Sequence, residues 1–551
     1  MSCTTILVGR KATYDGSTFI ARNDDSPSGK YTPKKFTVVH PEEQPRRYRS
    51  VLSHVEIDLP DNPMRYTAVP NALEGEGIWA ASGVNEANVA MTATETITTN
   101  ERVLGADPLV ECIPAADGKP EVPGGIGEED LVVLTLPYIK SAREGVTRMG
   151  SLLEQYGTYE SNGMAFQDKE EIWWLESIGG HHWIARRVPD DHYVIMPNQL
   201  GIDEFDMDDA FGEQKNYMCS ADLREFITWN HLDLTLKDTA QDFEVGFSRS
   251  SGDSNSESNS TSSSETSCSE SSSPKHWVFN PRDAFGSHDD ADHVYNTPRG
   301  WFMARYLNPH SASWDGPHAD YRPDSDDIPW SMIPERKITP EDVKYLLSSH
   351  YQGTPYDPYA SYGDSSRRGA YRSIGINRND FLALIQIRPY QPEEFRTIEW
   401  LAFASNAFNT WAPMYANVTR TPAYLSNTGK HASTDNFYWT SRMIAAMTDA
   451  SYGKSLFHIE RYQLAVGAKG HELIRKYDAK MMDALGDPVA AIPAAVSSSD
   501  RSERNDRIHA LAEQANQEMA DALKEAAADT LDKVLYELSN QMKNSYSRSD
   551  T

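Results

Sequence analysis

The sequence predicts an α+β fold in which antiparallel sheets carry helices on their outer faces. Two observations lead there. Strand-like runs come as neighbouring pairs joined by tight turns, and helical periodicity does not alternate with single strands as it would in βαβ units. Length adds a third: 551 residues exceed one ordinary core, so two to four structural units are expected.

The elements follow in chain order. Cys3 to Gly9 (CTTILVG) is rich in β-branched residues, Tyr14 to Ser17 (YDGS) carries an Asp-Gly turn, and Thr18 to Arg22 (TFIAR) is the returning strand. Strands are next expected over GIWAASGV (77–84) and ANVAMTATET (87–96), and a helix from about Ile139 to Tyr156. EIWWLESI (171–178) and HHWIARRV (181–188) form a hairpin around Gly179-Gly180, followed by a strand at HYVIM (192–196). Residues 248–276 are dominated by serine and nearly free of apolar groups, which cannot offset the entropy of ordering; they read as a disordered insertion, with Cys268 incidental to it. Motifs described below lie on both sides, so the catalytic unit is expected to comprise 3–247 and 277–475. Beyond it, 476–551 is helical: Ile508, Leu511, Ala515, Met519, Leu523, Leu531, Val534, Leu535, Leu538 and Met542 recur at helical steps, giving an amphipathic helix over about 506–541 with room for one break. It packs on its own chain or on a sister subunit, and a homo-oligomer is expected.

Charge and composition narrow the function. The formal net charge of -29 repels phosphate backbones and anionic surfaces, which excludes nucleic acid as a partner. No apolar stretch is long enough to span a membrane, and no secretory signal is visible. Four scattered cysteines do not make a disulfide framework, so a reducing, cytoplasmic setting is expected. The phosphate-loop and G-x-S-x-G patterns are absent, and His471-Glu472 does not complete a zinc motif because position 475 is Arg475. His181 and His182 are adjacent in a strand and should point to opposite faces, which argues for structural roles. No metal and no cofactor are expected.

The chemistry centres on Cys3. If Met1 and Ser2 are removed as a propeptide, Cys3 carries a free α-amine beside its own thiol. The amine titrates near pH ~8 and the thiol near ~8.5, so one residue supplies both nucleophile and general base. Removal of methionine alone leaves serine at the terminus, so a second cleavage at Ser2–Cys3 is expected, by attack of the same thiol on the preceding carbonyl. The hairpin should return Arg22-Asn23-Asp24-Asp25 beside Cys3, where an arginine can steady a thiolate and a carboxylate can hold the amine.

CTTILVG…DGSTFIARNDDS resembles the start of the dipeptidase-A family of cysteine N-terminal-nucleophile hydrolases, related to penicillin V acylases, bile salt hydrolases and secernins. SGVNEANVAMTATET (82–96), GIGEEDLVVLTLPYIKSAREGV (125–146), GGHHWIARRVPDDHYVIMPNQLGI (179–202), YNTPRGWFMARYL (295–307) and segments within 411–446 extend the resemblance over most of residues 3 to 450. The resemblance implies a four-layer αββα sandwich. It also implies a site of Cys3 as nucleophile, Arg22 and Asp25 beside it, Asn198 as an oxyanion contact, and Arg299 completing the set. Relatives among the acylases carry an asparagine about ten residues past a G-x-N-E turn. Here that turn is Gly83-Val84-Asn85-Glu86 and the later position falls at Glu95. A carboxylate is a poor oxyanion donor, so Glu95, with Asn85, is assigned to substrate binding, Glu95 taking the ammonium of a dipeptide.

The resulting expectation is a cysteine dipeptidase acting on short peptides. Two alternatives stand beside it: an acylase-type amidase on N-acyl amino acids, and a secernin-like interaction protein without turnover.

Overall fold

The computed structural model describes residues 3–235, 276–486 and 498–544, apart from positions 74, 76 and 288. Met1 and Ser2, and the serine-rich segment with Cys268, lie outside the described residues.

The opening hairpin is the spine of the fold. Thr4–Val8 pairs with Thr18–Asp25 in antiparallel register, from Thr4 opposite Asn23 to Val8 opposite Phe19. Its turn uses the expected chemistry: the Asp15 carboxylate accepts from the Ser17 amide (3.0 Å) and hydroxyl (2.9 Å), while Gly16 takes φ +84°. Both strands lie inside a seven-stranded sheet, in the order Ser331–Met332, Tyr193–Met196, Thr4–Val8, Thr18–Asp25, Asn379–Ile387, Thr397–Phe403, Ala412–Tyr415. A second, eight-stranded sheet runs Tyr217–Cys219, His182–Arg187, Ile172–Ile178, Asn162–Gln167, Ala90–Thr96, Ser82–Asn85, Tyr66–Ala68, Thr37–Val39. Every pairing in both sheets is antiparallel.

The two-residue period of a strand sorts its side chains into layers. Leu7, Ile20, Val194 and Ile385 of the first sheet meet Val84, Ala165, Trp174 and Ile184 of the second in one core between the sheets. Their neighbours Ile6, Val8, Phe19 and Leu384 face the other way, onto a core shared with the helices Thr297–Leu307, Pro340–Leu347, Phe437–Ala450 and Tyr452–Leu485. Met91, Phe166, Trp173 and Ala185 cover the outer face of the second sheet, under Leu131–Thr135 and Ala142–Tyr156. Helices, sheet, sheet and helices make the four-layer α+β sandwich that was expected. The helix anticipated from Ile139 begins at Ala142, where the Ser141 side chain caps the Glu144 amide (3.1 Å).

The C-terminal helix is longer than expected and unbroken, from Ser498 to Ser539. It packs on its own chain, against Tyr452–Leu485, a helix of 34 residues that runs straight through position 476. Ile508, Ala515, Met519 and Leu523 enter the helix-side core. Asn516 treats the edge strand as a neighbouring strand would: its Oδ1 accepts from the Tyr415 amide (2.7 Å) and its Nδ2 donates to the Tyr415 carbonyl (3.0 Å). The last strand of the first sheet is thus covered against edge-to-edge pairing. No helix among the described residues is long and apolar enough to cross a membrane.

Candidate active site

The hairpin register decides what stands beside Cys3. Thr4 lies opposite Asn23, so the next pair across the ladder is Cys3 with Asp24. Ile20 faces the inter-sheet core; Arg22 and Asp24, at even steps from it, share that face with Cys3. The Arg22 guanidinium reaches Cys3 Sγ at 2.8 Å and Asp24 Oδ1 at 2.8 Å, and donates to the Ala81 carbonyl at 3.1 Å. Lys34 closes the far side of Asp24 at 2.9 Å. All four residues are buried. Burial works to raise the Asp24 carboxyl, but Lys34 and Arg22 outweigh it and hold the group below the ordinary carboxylate range. Arg22 is likewise held charged: burial opposes its cation, and the Cys3 thiolate and Asp24 override that.

Asn198 and Arg299 grip the backbone of the same cysteine. The Cys3 amide donates to Asn198 Oδ1 (3.1 Å). Arg299 donates through Nη2 to that same oxygen (2.8 Å), and through Nη1 to the Cys3 carbonyl and to Thr4 Oγ1 (2.8 Å). Asn296, one turn earlier, accepts from Arg299 at 2.5 Å and donates to the Asn198 carbonyl at 3.2 Å. With Oδ1 turned to two N–H donors, the Asn198 Nδ2 donates to the Thr96 carbonyl at 3.0 Å. Asn198 therefore holds the nitrogen of Cys3; in this geometry its contact with an oxyanion is not what fixes it.

Asp25 is placed differently from Asp24. One residue along a strand reverses the face, and Asp25 looks away from the inter-sheet side, accepting from Arg372 and from Asn379 Nδ2. Burial pushes Arg372 down to about 9 and Arg378 adds to that, while the charge of the Cys3 thiolate works the other way. Asn85 spends all its hydrogen-bonding capacity on backbone: Nδ2 to Leu136 O (2.8 Å) and Ile139 O (2.7 Å), Oδ1 from Ala87 N (3.0 Å) and Val89 N (3.1 Å). It staples its own turn to the segment before the helix, and none of these partners belongs to the Cys3 cluster. Glu95 lies in strand Ala90–Thr96, opposite Gly163 and just past a bulge. Its side chain is outside the described residues.

Sequence reading alone passed over three groups at the thiol: Asp24, Lys34 and Glu128. Asp24 was within reach of it, because any residue two steps from Arg22 shares its face. Lys34 and Glu128 arrive from loops and carry no local signal. Oxygens of Asp24 and Glu128 and the Cys3 sulfur lie within 4.8 Å of one another. Three such donors invite a cation, but Arg22 and Lys34 already stand against Asp24 and the sulfur, and a metal there would sit beside two buried cations. The other cysteines contrast with this. Burial pushes the Cys219 thiol up to about 12, with no arginine at hydrogen-bond range to counter it among the described contacts. No disulfide joins Cys3, Cys112 and Cys219. His181 and His182 both turn Nδ1 to one carboxylate, Asp107, at 3.0 and 2.7 Å. The expectation that they diverge fails because His181 precedes the strand, which starts at His182; both rings fasten instead to one aspartate.

Comparison with known proteins supplies the family. Residues 2–465 match the model of peptidase family C69. The chain is 53% identical to a protein named dipeptidase from Bifidobacterium longum (strain NCC 2705), with all of both chains covered. It is 48% identical to a probable dipeptidase A of Streptococcus pyogenes serotype M3, again over all of both chains. It is 43% identical to dipeptidase A of Lactobacillus helveticus, over 82% of each. The chain belongs to peptidase family C69 and is a cysteine-type peptidase.

Proposed function

We propose that the protein is a dipeptidase that uses Cys3 as nucleophile and, once Met1 and Ser2 have been removed, the Cys3 α-amine as general base. The observation that carries this reading is convergence on one residue: Arg22 on its sulfur, Asn198 on its nitrogen, Arg299 on its carbonyl. A buried cysteine serving only as core filler has no need of two arginines and an asparagine. The names of the full-length relatives supply the substrate class.

The chemistry follows from these contacts. The free amine takes the thiol proton, and Arg22 stabilises the thiolate that remains. The sulfur attacks the peptide carbonyl carbon, forming a C–S bond. The C–N bond then breaks, the departing amine taking the proton from the α-ammonium. Water attacks the thioester, the α-amine accepts its proton, and the acyl group leaves as a carboxylic acid while the thiol is restored. Asn198 and Arg299 keep the amine and the carbonyl of Cys3 fixed throughout, so no orientational freedom is lost at the reacting step. Asp25 contributes by fixing Arg372, whose charge and that of the Cys3 thiolate favour one another. Processing would use the same sulfur without the α-amine as base, since the Cys3 nitrogen is then an amide: the sulfur attacks the Ser2 carbonyl carbon, the Ser2–Cys3 C–N bond breaks to free the amine, and water hydrolyses the resulting thioester. A reducing compartment keeps such a thiol free.

The test is Cys3→Ala and Cys3→Ser, assayed on alanyl-alanine with the intact mass of each protein. The reading predicts no turnover from Cys3→Ala and a wild-type mass that begins at Cys3. Turnover by Cys3→Ala rules it out.

A further inference from the structure

A dipeptide carries a carboxylate one residue beyond the bond that breaks, so a site built for it needs a cation at that distance. The cations already described around Cys3 are committed. Arg22 and Lys34 stand on Asp24, Arg372 on Asp25, and Arg299 on the Cys3 carbonyl, Asn198 and Asn296. Arg378 is different. It is half-buried, its Nη1 donates to the Ser26 carbonyl, and its Nη2 donates to the Tyr295 hydroxyl (2.7 Å). Neither partner is charged, and among the described residues no carboxylate pairs with it. Two of its five N–H donors are used.

Tyr295 ties this arginine to the cysteine. Its carbonyl accepts from Arg299 Nε (2.8 Å), and its ring lies 5.3 Å from the guanidinium carbons of both Arg299 and Arg372. The Tyr295 hydroxyl accepts from Arg378, which leaves its own proton to donate. Arg378 and Tyr295 therefore set N–H and O–H donors side by side, an arrangement that suits a carboxylate. Charge agrees. Arg378 works to lower Arg372, as a neighbouring like charge does, and Asp25 answers Arg372 alone.

Distance can be read from the ladder. Cys3 pairs with Asp24; two residues further, the Ser26 amide donates to the Arg378 carbonyl (3.0 Å) on the next strand. Strands ~4.8 Å apart with a rise of ~3.4 Å per residue put the Arg378 Cα about 12 Å from that of Cys3. The Arg378 side chain turns back across this gap, since Tyr295 and Arg299 link its tip to the Cys3 carbonyl. In the substrate, the sulfur poised for attack is roughly 3–3.5 Å from the scissile carbon. The carboxylate carbon of a dipeptide is under about 4 Å further on, and each added residue moves it ~3.5 Å more. A returning arginine meets the carboxylate of a dipeptide; that of a longer peptide overshoots it.

We propose that Arg378, with the Tyr295 hydroxyl, binds the free C-terminal carboxylate of the substrate and so favours peptides with a single residue after the scissile bond; this rests on the dipeptidase reading.

The experiment compares wild type, Arg378→Gln, Arg378→Lys and Tyr295→Phe on alanyl-alanine and on alanyl-alaninamide, which lacks the carboxylate, with melting temperatures recorded. Loss of a charge-assisted contact is expected to raise KM for alanyl-alanine about 10- to 100-fold in Arg378→Gln. kcat should fall far less, and the preference for the acid over the amide should collapse by the same factor. Arg378→Lys, which keeps the charge, should retain part of the preference, and Tyr295→Phe should lose a few-fold of it. If Arg378→Gln does not fold, the other two variants carry the same comparison. If wild type does not cleave the amide, the KM-against-kcat split on alanyl-alanine decides: a raised KM supports the proposal, and a fall in kcat at unchanged KM overturns it. An equal loss on both substrates also overturns it, since that is what a merely structural arginine would give. Failure of wild type to cleave alanyl-alanine at all would instead overturn the parent reading.

Discussion

Replacing Arg22 by glutamine removes the cation that stands 2.8 Å from the Cys3 sulfur. At an effective dielectric of ~20, unit charges about 4 Å apart interact by about 4 kcal/mol, which is about 3 pKa units at 1.36 kcal/mol per unit. Arg22 divides its charge between the sulfur and Asp24, each at 2.8 Å, and Lys34 stays on Asp24 in the variant. About half of the effect, one to two units, should therefore appear at the thiol. The sign is fixed: a lost cation destabilises the thiolate, so reactivity moves to higher pH. The assay is the rate of alkylation of processed enzyme by iodoacetamide across pH, read by mass. Arg22→Gln should shift the profile up by one to two units and cut kcat/KM at pH 7 by about 10- to 100-fold. Arg22→Lys should recover part of the shift. A profile for folded Arg22→Gln that superimposes on wild type would refute the reasoning.

Other outcomes follow from the same contacts. Asn198→Ala removes the acceptor shared by the Cys3 nitrogen and Arg299, and should lower kcat about 100-fold while costing about 1–3 kcal/mol of stability by denaturant unfolding. Burial works to raise the Asp107 carboxyl, but hydrogen bonds from His182 and His181 lower it to about 2. A depressed carboxyl stabilises above its unfolded pKa, so roughly 2 kcal/mol is present at neutral pH and lost as pH falls from about 4 to about 2. Asp107→Asn should flatten the acid limb of a melting-temperature profile over that range. Asn516→Leu should lower stability by about 1–3 kcal/mol and increase aggregation on heating, because the Tyr415 edge loses both of its partners on that helix. Chelators should leave turnover unchanged, read as initial rate on alanyl-alanine with and without EDTA.

The hairpin and most strands could be read from residue type and turn chemistry, because Asp15-Gly16 and Gly179 do in the fold what such residues do in any turn. The face of each strand was harder to read. Thr18–Asp25 is buried along its whole length, so polarity does not tell inward from outward. Choosing between Asp24 and Asp25 needed the register, which the hairpin supplies by counting two residues from Arg22. The 34-residue helix Tyr452–Leu485 was legible and passed over: Ile459, Tyr462, Val466, Gly470, Leu473, Tyr477 and Met481 are buried at three- and four-residue steps. Glu128 and Lys34 could not be placed, since Glu128 comes near the thiol, and Lys34 reaches Asp24, from loops whose paths depend on tertiary packing. Cys3, Arg22, Asn198 and Arg299 were named from sequence because the quoted segments identify their neighbourhoods, and the fold hydrogen-bonds each of the other three to Cys3.

The central claim is that the chemistry needs Cys3 at a chain terminus. It is tested most directly by the intact mass of purified enzyme, taken on the same sample whose turnover of alanyl-alanine is measured. The account predicts that active protein begins at Cys3 and that Cys3→Ala keeps the preceding residues and is inert. Full activity in protein that still carries Ser2 would contradict it.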